Sequence, residues 1–454
     1  MGQFPRKTSL TLLLFGVFML ILNYRKLVVS PTVAEPTKTT ARLENPIDPG
    51  VAPKAPRHGG HRTKPSSGSQ LSDPTEALEP FFKALQRTEA GQGVTRILHY
   101  GDSPVTADSI TADMRSLLQE RFGDAGHGFV LVSKPWAWYG HRGVEMKSGG
   151  WHAQPASQGD RAKDNQHGLG GVSLIGSAGA YSIIRLTSAH ERIEISYYRQ
   201  PSGGTFTVRS GEELLATINT EAAESKADWS SLALPADGHE VRIDVQTGTV
   251  RLFGLSFEKG TRGVIYNSLG LNGGQVQVVL RYFQAAHWAE QLQHQHPDLV
   301  VVNYGTNESV YPKYLDTFYP GELREVIRRI KTAVPEASVL IMSPMDRGER
   351  IAGGEIVTIP AVPHIVDIQR QVAAETGCAF FNTYQAMGGE GTMARWYVSA
   401  PQLVTADFMH PFPAGARKVG VLFDNALTEA YDRYKAAHKA MISARSASTV
   451  GTVN

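Results

Sequence analysis

The sequence has a single cysteine, Cys378, among its 454 residues. A disulfide bond needs two cysteines, so no intrachain disulfide can stabilise the fold, and we expect Cys378 to be a buried thiol. The net charge is also small, because 45 basic side chains are balanced by 43 acidic ones. The basic excess lies in the first 75 residues. This balance excludes the basic surface that nucleic acid requires, so no nucleic-acid partner is expected.

Cofactor and metal motifs are also missing. The sequence contains neither a Gly-x-Gly-x-x-Gly loop nor a Walker-type loop, so nothing in it indicates nucleotide chemistry. His294 and His296 suggest a metal, but no carboxylate or thiol pattern accompanies them, and we interpret them as an exposed helix end. We therefore expect no cofactor and no bound metal.

Long apolar runs are confined to the amino terminus. Arg6 and Lys7 precede the run SLTLLLFGVFMLIL, which ends at Leu22. This order is typical of a segment that directs export, so residues 1–29 are predicted to be a signal anchor or a signal peptide. Because the basic sequence NYRK follows at once, we favour an uncleaved anchor. We expect a cell-envelope protein, periplasmic or extracellular, that contacts the inner membrane through this segment.

The remainder of the chain changes character along its length. Residues 30–72 are rich in Pro, Gly, Ser and Thr and predict a disordered tether. In residues 73–144 and again in residues 263–437, short apolar runs alternate with amphipathic stretches of helical period. This alternation is typical of an α/β domain, a parallel sheet covered by helices on both faces. A carboxyl-terminal tail is expected at residues 438–454.

Residues 145–262 interrupt the two halves of this α/β domain with a pattern of period two. Ile193, Ile195 and Tyr197 alternate with polar residues, and similar strands are separated by the turns PSGG, ADG and TGT. Such strands predict an inserted antiparallel β-sandwich. We expect the sandwich to have a core of its own and therefore to be removable.

Residues able to do chemistry follow the predicted strands. Ser103 ends the sequence RILHYGDS, Asn307 ends DLVVVNYGTN, and Asp407 lies three residues before His410 on a late loop. Each of these residues alone is typical of an ordinary turn or helix cap. Together, at predicted strand ends and on a late loop that folds back over the sheet, they would supply a nucleophile, a base, an orienting acid and an oxyanion donor.

Several neighbouring residues have a structural interpretation as well. Asp102 adjoins Ser103, but we interpret it as bracing the turn. His99 lies within the strand and is predicted to be a packed core residue. The aromatic residues of KPWAWYGHRG, residues 134–143, fit either stacking on sugar faces or packing in a core or lid, and both interpretations stay open.

With these residues in this order, the sequence resembles the SGNH, or GDSL, hydrolase superfamily, whose blocks are named for Ser, Gly, Asn and His. Ser103 matches the block I serine, and the second glycine of GLNGG, Gly273, best matches block II. Asn307 matches block III, and Asp407 with His410 matches the Asp-x-x-His of block V.

The match has departures that leave the subfamily open. Gly270 is an alternative to Gly273 as the block II glycine. Pro104 stands where Leu or His is frequent, and Glu308 follows the block III Asn where Asp is frequent. Neither of the last two departures removes a catalytic atom.

The resemblance implies a flavodoxin-like parallel sheet and a catalytic triad. His410 would accept the proton of Ser103, and Asp407 would orient the imidazole. The backbone N–H groups of Ser103 and Gly273 and the side-chain amide of Asn307 would form the oxyanion hole.

The tether and the insert between blocks I and II are similar to the arrangement in bacterial peptidoglycan O-acetylesterases, whose insert is similar to a carbohydrate-binding module. We therefore expect a serine esterase that removes O-acetyl groups from a cell-envelope polysaccharide, with peptidoglycan as the expected substrate. A polysaccharide O-acetyltransferase of the same superfamily is an alternative. A noncatalytic glycan-binding envelope protein is another, and no oligomeric state is predicted.

Overall fold

The computed structural model describes residues 70–450, with side chains as far as residue 440. These residues belong to the second of two compact units, Ser67–Asn454. The predicted signal anchor, residues 1–29, lies outside the described residues, as does nearly all of the predicted tether. Between residues 70 and 450, no helix combines the length and the apolar character needed to cross a membrane.

Strands and helices alternate through the described chain. The strands are β1 (Leu71–Ser72), β2 (Val94–Gly101), β3 (Gly128–Val130), β4 (Val144–Pro155), β5 (Val172–Leu186), β6 (Arg192–Arg199), β7 (Thr205–Ser210), β8 (Glu213–Asn219), β9 (Lys226–Ala233), β10 (Glu240–Thr247), β11 (Thr249–Glu258), β12 (Gly263–Gly270), β13 (Leu299–Asn303), β14 (Ser338–Met342), β15 (Gly348–Arg350), β16 (Ile356–Thr358) and β17 (Ala379–Phe381). The helices are α1 (Glu79–Glu89), α2 (Ser103–Thr106), α3 (Thr111–Phe122), α4 (Val276–Tyr282), α5 (Ala285–Gln295), α6 (Pro312–Thr317), α7 (Tyr319–Ala333), α8 (Ala361–Thr376), α9 (Thr383–Ala386), α10 (Thr392–Tyr397) and α11 (Pro413–Val450), with a 3₁₀ helix at Glu308–Val310.

The α/β part is built on a six-stranded sheet in the order β1-β17-β14-β13-β2-β12. Five strands are parallel, and β1 pairs antiparallel with β17 at one edge. Leu299 and Val301 of β13 enter one hydrophobic cluster, which helices α1, α3 and α11 cover, whereas Val300 and Val302 enter another. Because both faces are covered, the strands are apolar runs without alternation. The predicted α/β class is confirmed.

The site lies where the strand order reverses, because the chain passes from β2 to β12 on one side and then to β13 on the other. Gly101, the last residue of β2, is in register with Gly270 of β12 and Asn303 of β13. The loops that follow these three strands therefore start at one level. Ligands of open parallel sheets bind at this kind of position, outside the carboxyl ends of the strands.

Two glycines allow the chain to turn tightly after β2. A Cβ atom on Gly101 would lie 2.5 Å from Cγ2 of Val105, and one on Gly270 would lie 1.9 Å from the backbone nitrogen of Thr106. Helix α2 therefore packs directly on the end of β12. Gly270 therefore has a packing role at the end of β12, and the assignment of Gly273 to block II stays a prediction.

The inserted part is a nine-stranded antiparallel sheet in the order β8-β7-β10-β5-β11-β6-β9, with β3 added to β11 and β4 added to β5. We call residues 128–258 of this sheet the β domain. In β7 and β10 every second residue is buried, and Ile193, Ile195 and Tyr197 of β6 are buried as expected. The predicted insert of antiparallel strands is confirmed.

The β domain does not have the separate core that the sequence suggested. One hydrophobic cluster joins Phe206 and Ile243 of the β domain to Val300 and Val302 of the central sheet. Strand β3, which precedes the predicted insert, also pairs with β11. The expectation was wrong because alternation shows which face of a strand is apolar but not what covers that face. Removing the insert would expose this shared core.

Two smaller predictions concern the carboxyl-terminal half. Cys378 is a buried free thiol, as expected. The tail that was expected at residues 438–454 is instead the end of helix α11, which continues to Val450.

Candidate active site

Ser103 is the first residue of the one-turn helix α2. The carbonyl of Asp102 accepts hydrogen bonds from the backbone N–H groups of Val105 and Thr106 at 3.1 and 2.9 Å. Pro104 fits the second helical position, where a missing N–H costs nothing. The N–H of Ser103 has no acceptor within the helix because it opens the first turn. It is therefore suited to the predicted role of oxyanion donor.

A hydrogen-bonded chain runs from Ser103 through His410 to Asp407. Oγ of Ser103 lies 2.8 Å from Nε2 of His410, and Nδ1 of His410 lies 2.7 Å from Oδ2 of Asp407. An ionised carboxylate at Nδ1 makes that nitrogen the donor, so Nε2 is left to accept the serine proton. These three predicted residues are thus brought together in the geometry of a triad.

The other oxygen of Asp407 is fully engaged. Oδ1 accepts the N–H groups of Met409 and His410, each at 3.0 Å, and the hydroxyl of Thr405 at 2.5 Å. Burial by itself would raise the pKa of Asp407, but the hydrogen bonds from Thr405 and His410 outweigh it and hold the pKa at about 2. Asp407 is therefore ionised across the neutral range.

The loop that carries Asp407 and His410 is closed on itself. The N–H of Thr405 donates to the carbonyl of His410 at 2.9 Å, and Phe408 between them has φ of +54°. Positive φ is unfavourable for a bulky residue. Phe408 is nevertheless buried, and its carbonyl accepts the N–H of Gly348 at 2.9 Å. Packing and this hydrogen bond offset the strain and keep the loop against strand β15.

The block II turn presents a glycine at its exposed corner. The turn is closed by the N–H of Gly274, which donates to the carbonyl of Leu271 at 2.7 Å. Gly273 within it has φ of +68°, and a Cβ built there meets no described heavy atom within 4 Å. The position therefore requires glycine for its backbone conformation and not for packing.

Asn307 is bonded directly to this turn. Its Nδ2 donates to the carbonyl of Gly274 at 2.9 Å. An amide nitrogen has two hydrogens, so the second remains to bind an oxyanion. Gly273 and Asn307 thus lie on loops that hold each other in position.

Glu308, the departure from the block III pattern, ties the same loops together. Its side chain is completely buried; Oε1 accepts the N–H of Val276 at 2.8 Å, and Oε2 accepts the N–H of Gly305 at 3.0 Å. Burial raises the pKa of Glu308 to about 8, and the hydrogen bonds from Val276 and Gly305 oppose that rise. Val276 opens helix α4, so Glu308 also satisfies a free N–H group of that helix.

Arg347 is a site residue that the sequence motifs did not indicate. Its Nη1 donates to the carbonyl of Thr306 and to the hydroxyl of Ser309, both at 2.9 Å. Burial lowers the pKa of Arg347, while the nearby carboxylates of Asp407 and Asp102 oppose that effect. Arg347 thus positions the segment that carries Asn307. Its only sequence signal was its place just beyond a buried strand.

The residues predicted to be structural lie in structural positions. His99 is completely buried, its Nδ1 is 2.7 Å from the hydroxyl of Tyr266, and burial lowers its pKa to about 3. His294 lies in the last turn of α5 as expected, but it is half-buried, because Nε2 is 3.0 Å from a carboxylate oxygen of Glu194 and the ring stacks on Trp229 at 4.0 Å. In the described part of the chain, no three His, Cys, Asp or Glu residues are grouped to hold a metal ion.

Residues 245–418 match the GDSL-like Lipase/Acylhydrolase family. Among solved structures, a peptidoglycan O-acetylesterase superposes with a TM-score of 0.69 at 23% identity, over 80% of this chain and 99% of that one. A salicylyl-acyltransferase from a tetracycline biosynthetic pathway has a TM-score of 0.31 at 14% identity, over 64% of this chain and 96% of that one. An acetyl xylan esterase has a TM-score of 0.28 at 18% identity, over 36% and 81%. No match was found among curated proteins.

The family match and the fold confirm the resemblance to SGNH, or GDSL, hydrolases. The family model matches the second half of the α/β part, and the solved structure matches the fold. The fold is similar to that of a peptidoglycan O-acetylesterase.

Replacing Asn307 by alanine is expected to lower kcat for an acetyl ester by roughly 10²- to 10³-fold, because one oxyanion donor is worth about 3 kcal/mol in the transition state. KM should change little, since the donor acts on charge that develops after binding. Steady-state kinetics with 4-nitrophenyl acetate measures both constants. A rise in KM with unchanged kcat would assign Asn307 to ground-state binding instead.

Asp102 gives a prediction about pH and stability. Its carboxyl is buried, and Oδ2 has no hydrogen-bond partner among the described residues. Burial raises the pKa of Asp102 from 3.8 to about 6, although Thr306, His410 and Arg347 act to lower it. Between these values the folded protein holds a proton that the unfolded chain releases, so this group's contribution to stability falls as the pH rises.

Asp102→Asn removes this titration. Between pH 4 and pH 7, we expect wild type to lose about 2 kcal/mol more of its unfolding free energy than the variant does. Urea denaturation of both proteins at the two pH values measures the difference. The same pH dependence in both proteins would contradict a raised pKa at Asp102.

Proposed function

We propose that this protein is a serine esterase that removes O-acetyl groups from peptidoglycan in the cell envelope. The observation that carries the proposal is the hydrogen-bonded chain from Oγ of Ser103 through His410 to Asp407. In the proposed reaction, Oγ attacks the acetyl carbonyl carbon while Nε2 of His410 takes the serine proton. Asp407 stabilises the imidazolium that forms.

The tetrahedral oxygen then carries a negative charge. The N–H groups of Ser103 and Gly273 and the amide of Asn307 bind it. When the intermediate collapses, the C–O bond to the sugar breaks and His410 returns the proton to the sugar oxygen. The acetyl group is left on Ser103. Water, deprotonated by His410, attacks this ester and releases acetate, which restores the free serine.

An open site supports a polymeric substrate. The side chains of His410 and Asp407 are 38% and 48% exposed, so the triad lies at the surface and not at the end of a tunnel. A long glycan chain can pass over such a site without threading through it. The similarity in fold to a peptidoglycan O-acetylesterase supports peptidoglycan as the polymer.

The proposed location rests on the sequence. Arg6 and Lys7 followed by the apolar run to Leu22 favour export and retention at the inner membrane. This would hold the enzyme within reach of the glycan through residues 30–72.

Acetate release from O-acetylated peptidoglycan, compared with acetylated alginate and acetylated xylan, tests the proposal. We expect the highest kcat/KM on peptidoglycan and no release with Ser103→Ala. Acetyl appearing on an acceptor glycan instead of free acetate would identify a transferase. Glycan binding without turnover of any ester would identify a noncatalytic protein, and either result would overturn the proposal.

A further inference from the structure

The aromatic segment at residues 134–143 holds side chains in two different environments. Trp136 and Tyr139 are buried, so the packing interpretation holds for them, whereas Trp138 is 54% exposed. Nε1 of Trp138 donates to Oδ1 of Asn272 at 3.2 Å. Asn272 immediately precedes Gly273, so the indole lies beside the turn that carries a proposed oxyanion donor.

The segment that follows the indole is anchored at two points. The hydroxyl of Tyr139 accepts the N–H of Leu131 at 2.9 Å. The N–H of Arg142 donates to the buried carboxylate of Asp108 at 2.8 Å. The Arg142 guanidinium also donates to both carboxylate oxygens of Asp113, at 2.8 and 3.1 Å.

These anchors belong to the same stretch of chain as the nucleophile. Asp108 follows helix α2, which begins at Ser103, and the guanidinium of Arg115 donates to both of its oxygens. Asp108 has φ of +52°, and its pKa is held low by charge and hydrogen bonding from Arg115 despite the opposing effect of burial. The segment that carries Trp138 is therefore bonded, through Arg142, to the stretch of chain that begins at Ser103, although the indole itself is exposed.

The indole of Trp138 combines an exposed apolar ring with an N–H that is already bonded to the turn beside Gly273, and such a ring is suited to contact a ligand in the site. The axial C–H groups of a pyranose form an apolar face that packs on an indole while the hydroxyl groups stay in water. Building on the proposed function, we propose that Trp138 is a stacking platform for a pyranose ring of the O-acetylated glycan. It would thereby be a specificity-determining residue for sugar esters.

The test compares a sugar ester with an ester that has no pyranose. Soluble O-acetylated peptidoglycan fragments and 4-nitrophenyl acetate serve as the two substrates. We expect Trp138→Ala to lower kcat/KM about tenfold on the fragments, chiefly by raising KM, which corresponds to about 1.4 kcal/mol. Turnover of 4-nitrophenyl acetate should stay within about twofold of wild type, and it shows at the same time that the variant is folded.

Two further variants make the result specific. Trp138→Phe keeps an aromatic face but loses the bond to Asn272, so it should recover part of the lost kcat/KM on the fragments. Leu214 is 49% exposed on β8, an edge strand of the β domain, and Leu214→Ala should match wild type on both substrates. Because Trp138→Phe is the smaller change, it also tests the idea if the alanine variant does not fold.

Three outcomes would overturn the proposal that Trp138 is a stacking platform. If Trp138→Ala left kcat/KM on the fragments unchanged, Trp138 would have no role in binding them. Equal losses on both substrates would mean that Trp138 only supports the turn at Gly273. A phenylalanine variant as weak as the alanine variant would mean that the bond to Asn272, and not stacking, matters. Failure of the proposed function is distinguishable, because wild type itself would then release no acetate from the fragments.

Discussion

Ser103→Ala is expected to lower kcat for 4-nitrophenyl acetate by roughly 10⁴- to 10⁶-fold, to the level left by binding and oxyanion stabilisation alone. The hydroxyl that is lost is the one 2.8 Å from Nε2 of His410. The turn itself should survive, because the bonds that form helix α2 come from the carbonyl of Asp102 and not from the serine side chain.

Ser109 offers a matched control for this variant. It lies six residues further along the same segment and is also partly buried, and its N–H donates to the carbonyl of Pro104 at 2.9 Å. Ser109→Ala removes a hydroxyl from the same region without touching the triad, so it should turn over ester like wild type. Retained turnover in Ser103→Ala, in a sample free of other esterases, would end the assignment of the nucleophile.

His410→Ala is expected to be about as damaging as Ser103→Ala, because the two residues act as one unit. The double variant should therefore be no slower than either single variant. Single-turnover and steady-state kinetics on 4-nitrophenyl acetate measure all three. Losses that multiplied in the double variant would mean that Ser103 and His410 act independently, which is incompatible with proton transfer between them.

Asp407 allows a sharper test of the same unit. Its Oδ1 accepts the N–H groups of Met409 and His410, so an asparagine there would keep its carbonyl oxygen in that position. The asparagine amide would then point an N–H at Nδ1 of His410 and force the proton onto Nε2. Asp407→Asn should thus lower kcat by about 10⁴-fold with little loss of stability. An asparagine variant with near-normal activity would show that the tautomer of His410 is not controlled by Asp407.

The sequence was informative wherever function depends on a residue type in a fixed order along parallel strands. Ser103 and Asn307 could be predicted because β2 and β13 end at one edge of the sheet and bring their following loops together. The Asp407 and His410 pair was indicated by its spacing on a late loop. The alternating strands of the insert were equally clear, since period two reports directly on which face is buried.

Other features depend on contacts between distant segments, which no local pattern encodes. Arg347 acts on the carbonyl of Thr306, so its role is visible only when the two loops are placed side by side. Trp136 and Trp138 are two residues apart in one aromatic run, yet one is buried and the other exposed. The core that the β domain shares with the central sheet was missed for the same reason. The apolar face of a strand does not show which other segment packs against it.

The central claim, that Ser103 is the nucleophile that His410 activates, is tested most directly by covalent labelling. A fluorophosphonate phosphonylates a serine only where a base accepts the proton and an oxyanion site holds the phosphoryl oxygen. Digestion of the labelled protein followed by peptide mass spectrometry locates the modified residue. The account predicts one label, on Ser103, that is lost in Ser103→Ala and strongly slowed in His410→Ala. A label on another residue, or labelling of Ser103 at the same rate without His410, would contradict it.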